Sequence, residues 1–131
     1  MVKFTVYGEA KPKGSTRAFV VAGKARTTTN NPNAKDWQQL VAMSAQQYRP
    51  AGGPYQGAVK LYAHFYFSRP ASVSEKKRPH HTVKPDLDKL IRNIGDALKG
   101  VIYEEDARID QIVATKSYDT IPRVEIEVVP R

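Results

Sequence analysis

The sequence predicts an α+β fold, a mixed β-sheet with about two main helices packed on it. Three observations carry that reading. Residues 2–7, 58–67 and 124–128 alternate apolar and polar side chains, the period-two pattern of half-buried strands. Residues near 33–49 and 86–100 carry apolar side chains at helical spacing. In chain order the elements read strand, hairpin, helix, strand, helix, strand, strand. The 131 residues fit a single domain spanning 1–131, with a hydrophobic fraction of 40% and a charged fraction of 26%.

The first strand follows from Val2, Phe4 and Val6 pointing one way and Lys3, Thr5 and Tyr7 the other. Residues 8–32 read as a basic loop, with Lys11, Lys13, Arg17, Lys24 and Arg26 against Glu9 alone. Within it Ala18–Arg26 can form a small hairpin turning at Ala22-Gly23. Asn33 is a good N-cap for the next helix, and Asp36 complements the dipole of its first turn. Trp37, Leu40, Val41, Ser44 and Tyr48 fall on one face, and Pro50 stops the helix. Trp37 reads as a core anchor because it sits on that stripe. The clearest strand is 58–67, with Val59, Leu61, Ala63, Phe65 and Phe67 on the buried face. His64 lies on the other face beside tyrosines and reads as structural.

Residues 68–85 form a second basic loop, where Arg69, Lys76, Lys77, Arg78 and Lys84 oppose Glu75 and where His80 and His81 add donors. The second helix buries Leu87, Leu90, Ile91, Ile94, Ala97 and Leu98 and ends at Gly100. Asp88, Arg92 and Asp96 step at i, i+4 on its polar face, a spacing that supports a helix by charge alternation. Ile109–Tyr118 gives a further strand. Val124, Ile126 and Val128 face inward in the last strand, which ends at Pro130.

There is no cysteine, which excludes a disulfide framework and zinc–thiolate chemistry and agrees with a cytoplasmic location. The longest apolar run is far below membrane-spanning length. The net charge of +8 is divided unevenly: residues 1–85 hold 14 Lys/Arg against 3 Asp/Glu, and residues 86–131 hold 7 against 10. A basic body beside an acidic cluster suits a protein that sets metal-binding carboxylates against nucleic-acid phosphates.

That cluster is Asp86 and Asp88 at the mouth of the second helix, followed by Glu104-Glu105-Asp106. Each aspartate alone has a structural explanation: Asp86 as N-cap, Asp88 as a dipole partner. The triplet after the helix does not. A helix of about 13 residues spans roughly 20 Å, and residues 101–106 extended would reach about as far, so the acids can reunite if the chain runs back along the helix. Gathered carboxylates would suit magnesium, a hard ion that takes oxygen ligands, activates water and stabilises a leaving oxygen. Lys89 and Arg92, neighbours on the helix, could neutralise charge developing at the phosphate.

Lys84-Pro85-Asp86-Leu87-Asp88-Lys89-Leu90-Ile91-Arg92, then Asp96-Ala97-Leu98, then Glu105-Asp106 with Lys116 ten residues on, resembles the RusA family of Holliday-junction resolvases. The resemblance is good over 58–129 and looser in the N-terminal third. It implies a homodimeric bacterial or phage endodeoxyribonuclease that binds four-way DNA junctions and makes paired nicks with Mg2+, for which Mn2+ substitutes, and without a small-molecule cofactor. The family's aspartate pair falls on Asp86 and Asp88, its third catalytic aspartate on Asp106, and Glu105 stands at the neighbouring acidic position. The metal set it implies is therefore Asp86, Asp88, Asp106 and Glu105. Two positions depart from the family. Lys89 replaces the usual asparagine, and Arg92 replaces a lysine, keeping its charge but not its proton chemistry. The DNA contacts expected are Lys11, Lys13, Arg17, Lys76, Lys77, Arg78, Lys84 and Lys116. Two other readings compete: a restriction-type nuclease, for which no Glu-x-Lys follows Pro85-Asp86, and a non-catalytic DNA-binding or phage accessory protein whose carboxylates merely cap a helix.

Overall fold

The computed structural model describes residues 1–14 and 33–131 in full, and the backbone alone of residues 16–21 and 24–29. Strand β1 is Val2–Tyr7, β2 Thr16–Val21 and β3 Lys24–Thr29; helix α1 is Ala34–Gln46, β4 Val59–Phe67 and α2 Leu87–Leu98. A single 3₁₀ turn, Asp106–Arg108, leads into β5 Ile109–Tyr118, and β6 Arg123–Pro130 closes the chain. This is the expected α+β order. The backbones of β2 and β3 pair antiparallel with Val21 opposite Lys24, so the expected hairpin exists.

The main sheet is mixed, in the order β1-β6-β4-β5. β6 lies between β1 and β4 and is antiparallel to both, with Phe4 opposite Ile126 and Ala63 opposite Ile126 on its other side. β4 and β5 are parallel, which obliges the chain between them to cross over rather than turn. Residues 68–108 are that crossover: a loop, α2, and the return to β5. The alternation read in β1, β4 and β6 is real burial. Val2, Phe4, Val6, Val59, Leu61, Ala63, Phe65, Val124, Ile126 and Val128 face one core with Leu90, Ile94 and Leu98 of α2.

Helix α1 packs on α2, but the face it buries differs from expectation. Ala34, Trp37, Val41 and Ala45 are buried, whereas Leu40 is 44% exposed and Tyr48 46%. Small alanines at each end of the stripe allow close approach between helices, and Leu40 turns outward. Ser44 donates its hydroxyl to the Leu40 carbonyl at 2.9 Å. Tyr48 instead stacks on Phe4, with ring centroids 5.0 Å apart. The helix ends at Gln46 and not at residue 49, because Tyr48 N–H bonds the Ala45 carbonyl in a tighter turn before Pro50. Asn33 stands at the N-cap position, but its side chain makes no capping bond. No helix among the described residues is long and apolar enough to cross a membrane.

Candidate active site

Asp86 enters α2 from an extended backbone, φ −70° and ψ 137°, and its carbonyl accepts from Leu90 N–H at 3.0 Å. It therefore occupies the N-cap position. Its carboxylate makes no capping hydrogen bond and lies 3.6 Å from the Lys89 ammonium. Asp88 is exposed in the first turn and has no side-chain partner among the described residues. Neither carboxylate caps the helix: Asp86 faces Lys89 of the first turn, and Asp88 is free among the described residues. The expected Asp88–Arg92–Asp96 ladder does not form either. Arg92 is exposed and makes no ion pair among the described residues.

The chain does return along α2. Gly100 turns it with φ +76°, a left-handed conformation suited to glycine, and accepts no side chain cost there. Gly100 N–H then bonds the Tyr103 carbonyl at 2.7 Å, and Val101, Ile102 and Tyr103 are buried. The Tyr103 hydroxyl donates to the Gly95 carbonyl at 2.7 Å, which pins the return beside the C-terminal half of the helix. Tyr55 holds its other side, donating N–H to the Ile102 carbonyl and accepting from Glu104 N–H. Burial pushes the Tyr103 phenol far up, and the charges of Asp106 and Asp96 push it further, so it is a neutral donor.

Asp106 arrives next to Asp96, close enough for the two carboxyl groups to act on each other electrostatically. Desolvation and then the charge of Asp96 hold the Asp106 carboxyl above the usual carboxylate range, with Lys99 pulling the other way. Both acids line a recess of about 230 Å³ with Arg92, Leu61, Ile91, Gly95, Ile109 and Ile112. Asp86 lines a different one. A cavity of about 430 Å³ opens between residues 9–14 and the start of α2, bounded by Lys11, Lys13, Lys84 and Lys89 against Glu9 and Asp86. The smaller recess runs along α2 between Ile91 and Asp96, and the larger opens at its N-terminal end. Among the described residues no three His, Cys, Asp or Glu side chains are gathered closely enough to hold a metal ion on their own.

The donor set still fits a hard cation. Magnesium takes one or two protein carboxylates and fills its remaining positions with water and phosphate oxygens. Asp88 has a free carboxylate, and the Asp96–Asp106 contact is a like-charge approach that a cation relieves. Glu105 stands at the N-cap of the 3₁₀ turn, exposed, with its carbonyl accepting from Arg108 N–H. Glu104 pairs with Arg108 at 3.6 Å.

The basic candidates separate into free and engaged cations. Lys11 and Lys84 line the larger cavity with no partner for their ammonium groups among the described residues. Lys13 reaches Asp96 at 3.1 Å, and its N–H bonds the Lys89 carbonyl. Lys76 and Lys77 are exposed on the crossover loop, their ammonium groups free among the described residues. Arg78 donates to the Tyr118 hydroxyl at 3.3 Å. Lys116 donates to the carbonyls of Val83 and Pro85. Arg17 lies outside the residues whose side chains are described. His81, read as a donor from the sequence, is buried instead, tilted against Phe67 at 4.6 Å and Tyr118 at 4.9 Å. On the opposite face of β4, His64 meets the Thr115 hydroxyl at 2.7 Å, a contact within the sheet.

Two residues at the site were given no role by sequence reasoning. Asp96 sits between Lys13 and Asp106; the sequence marked it on the polar helix face and in the Asp96-Ala97-Leu98 part of the RusA pattern, but not as a site residue. Asn93 is fully buried and donates its amide to the Lys11 and Ala34 carbonyls, both at 3.1 Å, fixing the strap 9–14 to α2. Nothing in the local pattern marks it.

A family profile described as Endodeoxyribonuclease RusA matches residues 9–129. The chain belongs to the RusA endodeoxyribonuclease family. The RusA match takes in both recesses and every acid described above, and begins just after β1. An uncharacterised protein, YqaN of Bacillus subtilis (strain 168), is 33% identical over 139 aligned residues, which cover 97% of this chain and 94% of that protein. Within the RusA frame, the crossover 68–108 carries all the acidic candidates, the strap supplies Lys13 to Asp96, and β5 supplies Lys116 to the Val83 and Pro85 carbonyls.

Proposed function

We propose that this RusA-family chain is a divalent-metal-dependent endodeoxyribonuclease that resolves four-way and other branched DNA by paired phosphodiester hydrolysis, acting as a homodimer in the cytoplasm of a bacterium or a phage-infected host. The observation that carries the reading is Asp86. That this N-cap aspartate does no capping and lies on the wall of a cavity edged by four lysines supports a ligand role over a helix-stabilising one.

Asp86 and Asp88 at the mouth of α2 and Asp106 in the recess beside Asp96 would provide the metal-binding carboxylates, for magnesium with manganese as a substitute, and Glu105 supports them from the 3₁₀ turn. When bound, the ion supplies Lewis acidity and a low-pKa water at the scissile phosphate. The chain's own groups do the rest. Lys11, Lys13 and Lys84 draw the backbone into the cavity beside Asp86, and Lys76, Lys77 and Arg78 extend the positive track along the crossover loop. Arg92, unpaired and next to Asp106, faces charge that develops on the phosphoryl oxygens, with Lys89 on the other side of the helix mouth. A guanidinium is a fixed charge and not a proton carrier, so the part proposed for Arg92 is electrostatic.

The test is nicking of a synthetic four-way junction in magnesium by wild type and Asp86→Asn. The variant is expected to lose roughly 100-fold or more in rate, the scale of removing one group from a pre-organised electrostatic site. It keeps junction affinity or gains some, since a negative charge near phosphates is gone. Equal cleavage by both proteins refutes the assignment. Sedimentation of the free protein, expected at twice the monomer mass, checks the dimer.

A further inference from the structure

We infer that Lys116 is a positioning residue for the loop that delivers Asp86, and not a contact to DNA phosphate; the inference rests on the reading of Asp86 as a metal ligand. Lys116 projects from β5, where its backbone stands opposite Phe65 of the parallel neighbour β4. Its side chain is half-buried, and its ammonium donates to the Val83 carbonyl at 2.7 Å and the Pro85 carbonyl at 2.9 Å. An ammonium has three hydrogens, so two are already engaged.

Among the described residues, no backbone N–H or carbonyl of residues 79–85 pairs with another backbone group, and Lys116 is the side chain that reaches their carbonyls from outside the segment. Pro85 has no N–H to offer. Backbone order resumes at Asp86, whose carbonyl begins the α2 ladder. Holding the carbonyls on both sides of Lys84 fixes the direction from which the chain enters the helix, and with it the aim of the Asp86 carboxylate. The anchor itself is rigid, because β5 is paired along its whole length with the buried β4. Lys84 then differs sharply from Lys116: its backbone is clamped while its ammonium is free at the rim of the lysine-edged cavity.

The experiment compares Lys116→Met, Lys116→Arg and Lys84→Met. Junction binding is measured without cleavage in calcium from 50 to 200 mM NaCl, and Mn2+ binding is measured on the free protein by electron paramagnetic resonance. A phosphate contact lowers the log–log salt slope by about 1. Lys84→Met is expected to do so and to leave Mn2+ affinity unchanged. Lys116→Met is expected to keep the wild-type slope and to weaken Mn2+ binding by about tenfold, the range seen when a group supporting a metal ligand is removed. Lys116→Arg, which retains donors, recovers most of that loss. A lowered salt slope with unchanged Mn2+ affinity in Lys116→Met overturns the inference. Should that variant not fold, the ammonium nitrogen signals of wild type decide: on adding junction DNA the Lys84 signal moves and the Lys116 signal stays, and equal shifts of both count against positioning. A wild type that binds no Mn2+ refutes the metal-dependent reading itself, while the salt slopes still report whether Lys116 touches phosphate.

Discussion

Asn93 shows how one buried amide couples parts of this chain that are far apart in sequence. Its two donors serve the carbonyls of Lys11 and Ala34, 82 and 59 residues away. Removing the amide takes a donor from each carbonyl, and most is lost at Lys11, because the Ala34 carbonyl lies in the first turn of α1 and keeps its place in the helix ladder. The expected cost of Asn93→Ala is about 1–3 kcal/mol, and urea unfolding measures it. The strap that Asn93 holds also carries Lys11 and Lys13 to the cavity wall, so the same variant should weaken junction binding even where it remains folded. At this scale the sequence marked the acids by type alone. Asp86, Asp88 and Asp106 stood out as carboxylates in a basic chain. Asn93 did not, and Asp96 stood out only as part of a pattern, because what makes them matter is a partner from another segment.

The crossover loop, residues 68–85, is an element held by side chains. Arg69 lies over the Tyr118 ring at 4.3 Å and also donates to the Ser74 and Arg78 carbonyls, while His81 fills the space between Phe67 and Tyr118. His81 is held below its ordinary pKa, first by burial and then by the nearby charges of Lys116 and Arg78. For a base whose folded pKa is depressed, the unfolded chain binds more protons as the pH drops. Stability is then complete above the unfolded value near 6.5 and declines as the pH falls toward the lower folded value. Thermal unfolding between pH 7.5 and 5 should show this decline, and His81→Phe should flatten it. A profile identical in both proteins would remove His81 from the account. The return segment is the element where expectation and structure part. An extended run from Gly100 would have carried Asp106 to the helix mouth. The chain instead bends tightly after Gly100, and Tyr103 docks on Gly95, so Asp106 stops beside Asp96. The direction of the return was legible, and its length depended on a hydroxyl–carbonyl bond that no spacing rule contains.

For the whole molecule, the sheet is the frame and β4 its centre. Phe65 is fully exposed to the core and not at all to solvent, between β6 and β5. Phe65→Ala should destabilise by about 3–5 kcal/mol through lost burial and the cavity left behind. That is a large share of the roughly 5–15 kcal/mol that holds a domain folded, and calorimetry or denaturant titration would measure it. β1, β4 and β6 were legible because each buries one face only, which prints the period of two into the sequence. β5 was legible as a strand but not as a parallel partner of β4. It forms the sheet edge, its burial pattern is irregular, and Ile112 is 48% exposed. Strand order depends on how the crossover closes, and helical or strand periodicity carries no information about that.

The parallel pairing of β4 with β5 has a consequence for how such a protein can change over evolutionary time. Both ends of the crossover are bolted to adjacent strands, and between them the exposed loop positions can vary in charge while the Arg69 and Arg78 contacts keep its course. His81 and Lys116 re-establish the chain's course just before Asp86. New loop sequences can therefore be tried against new DNA shapes while the acidic residues stay where they are, a division between a part free to diversify and a part that must not move.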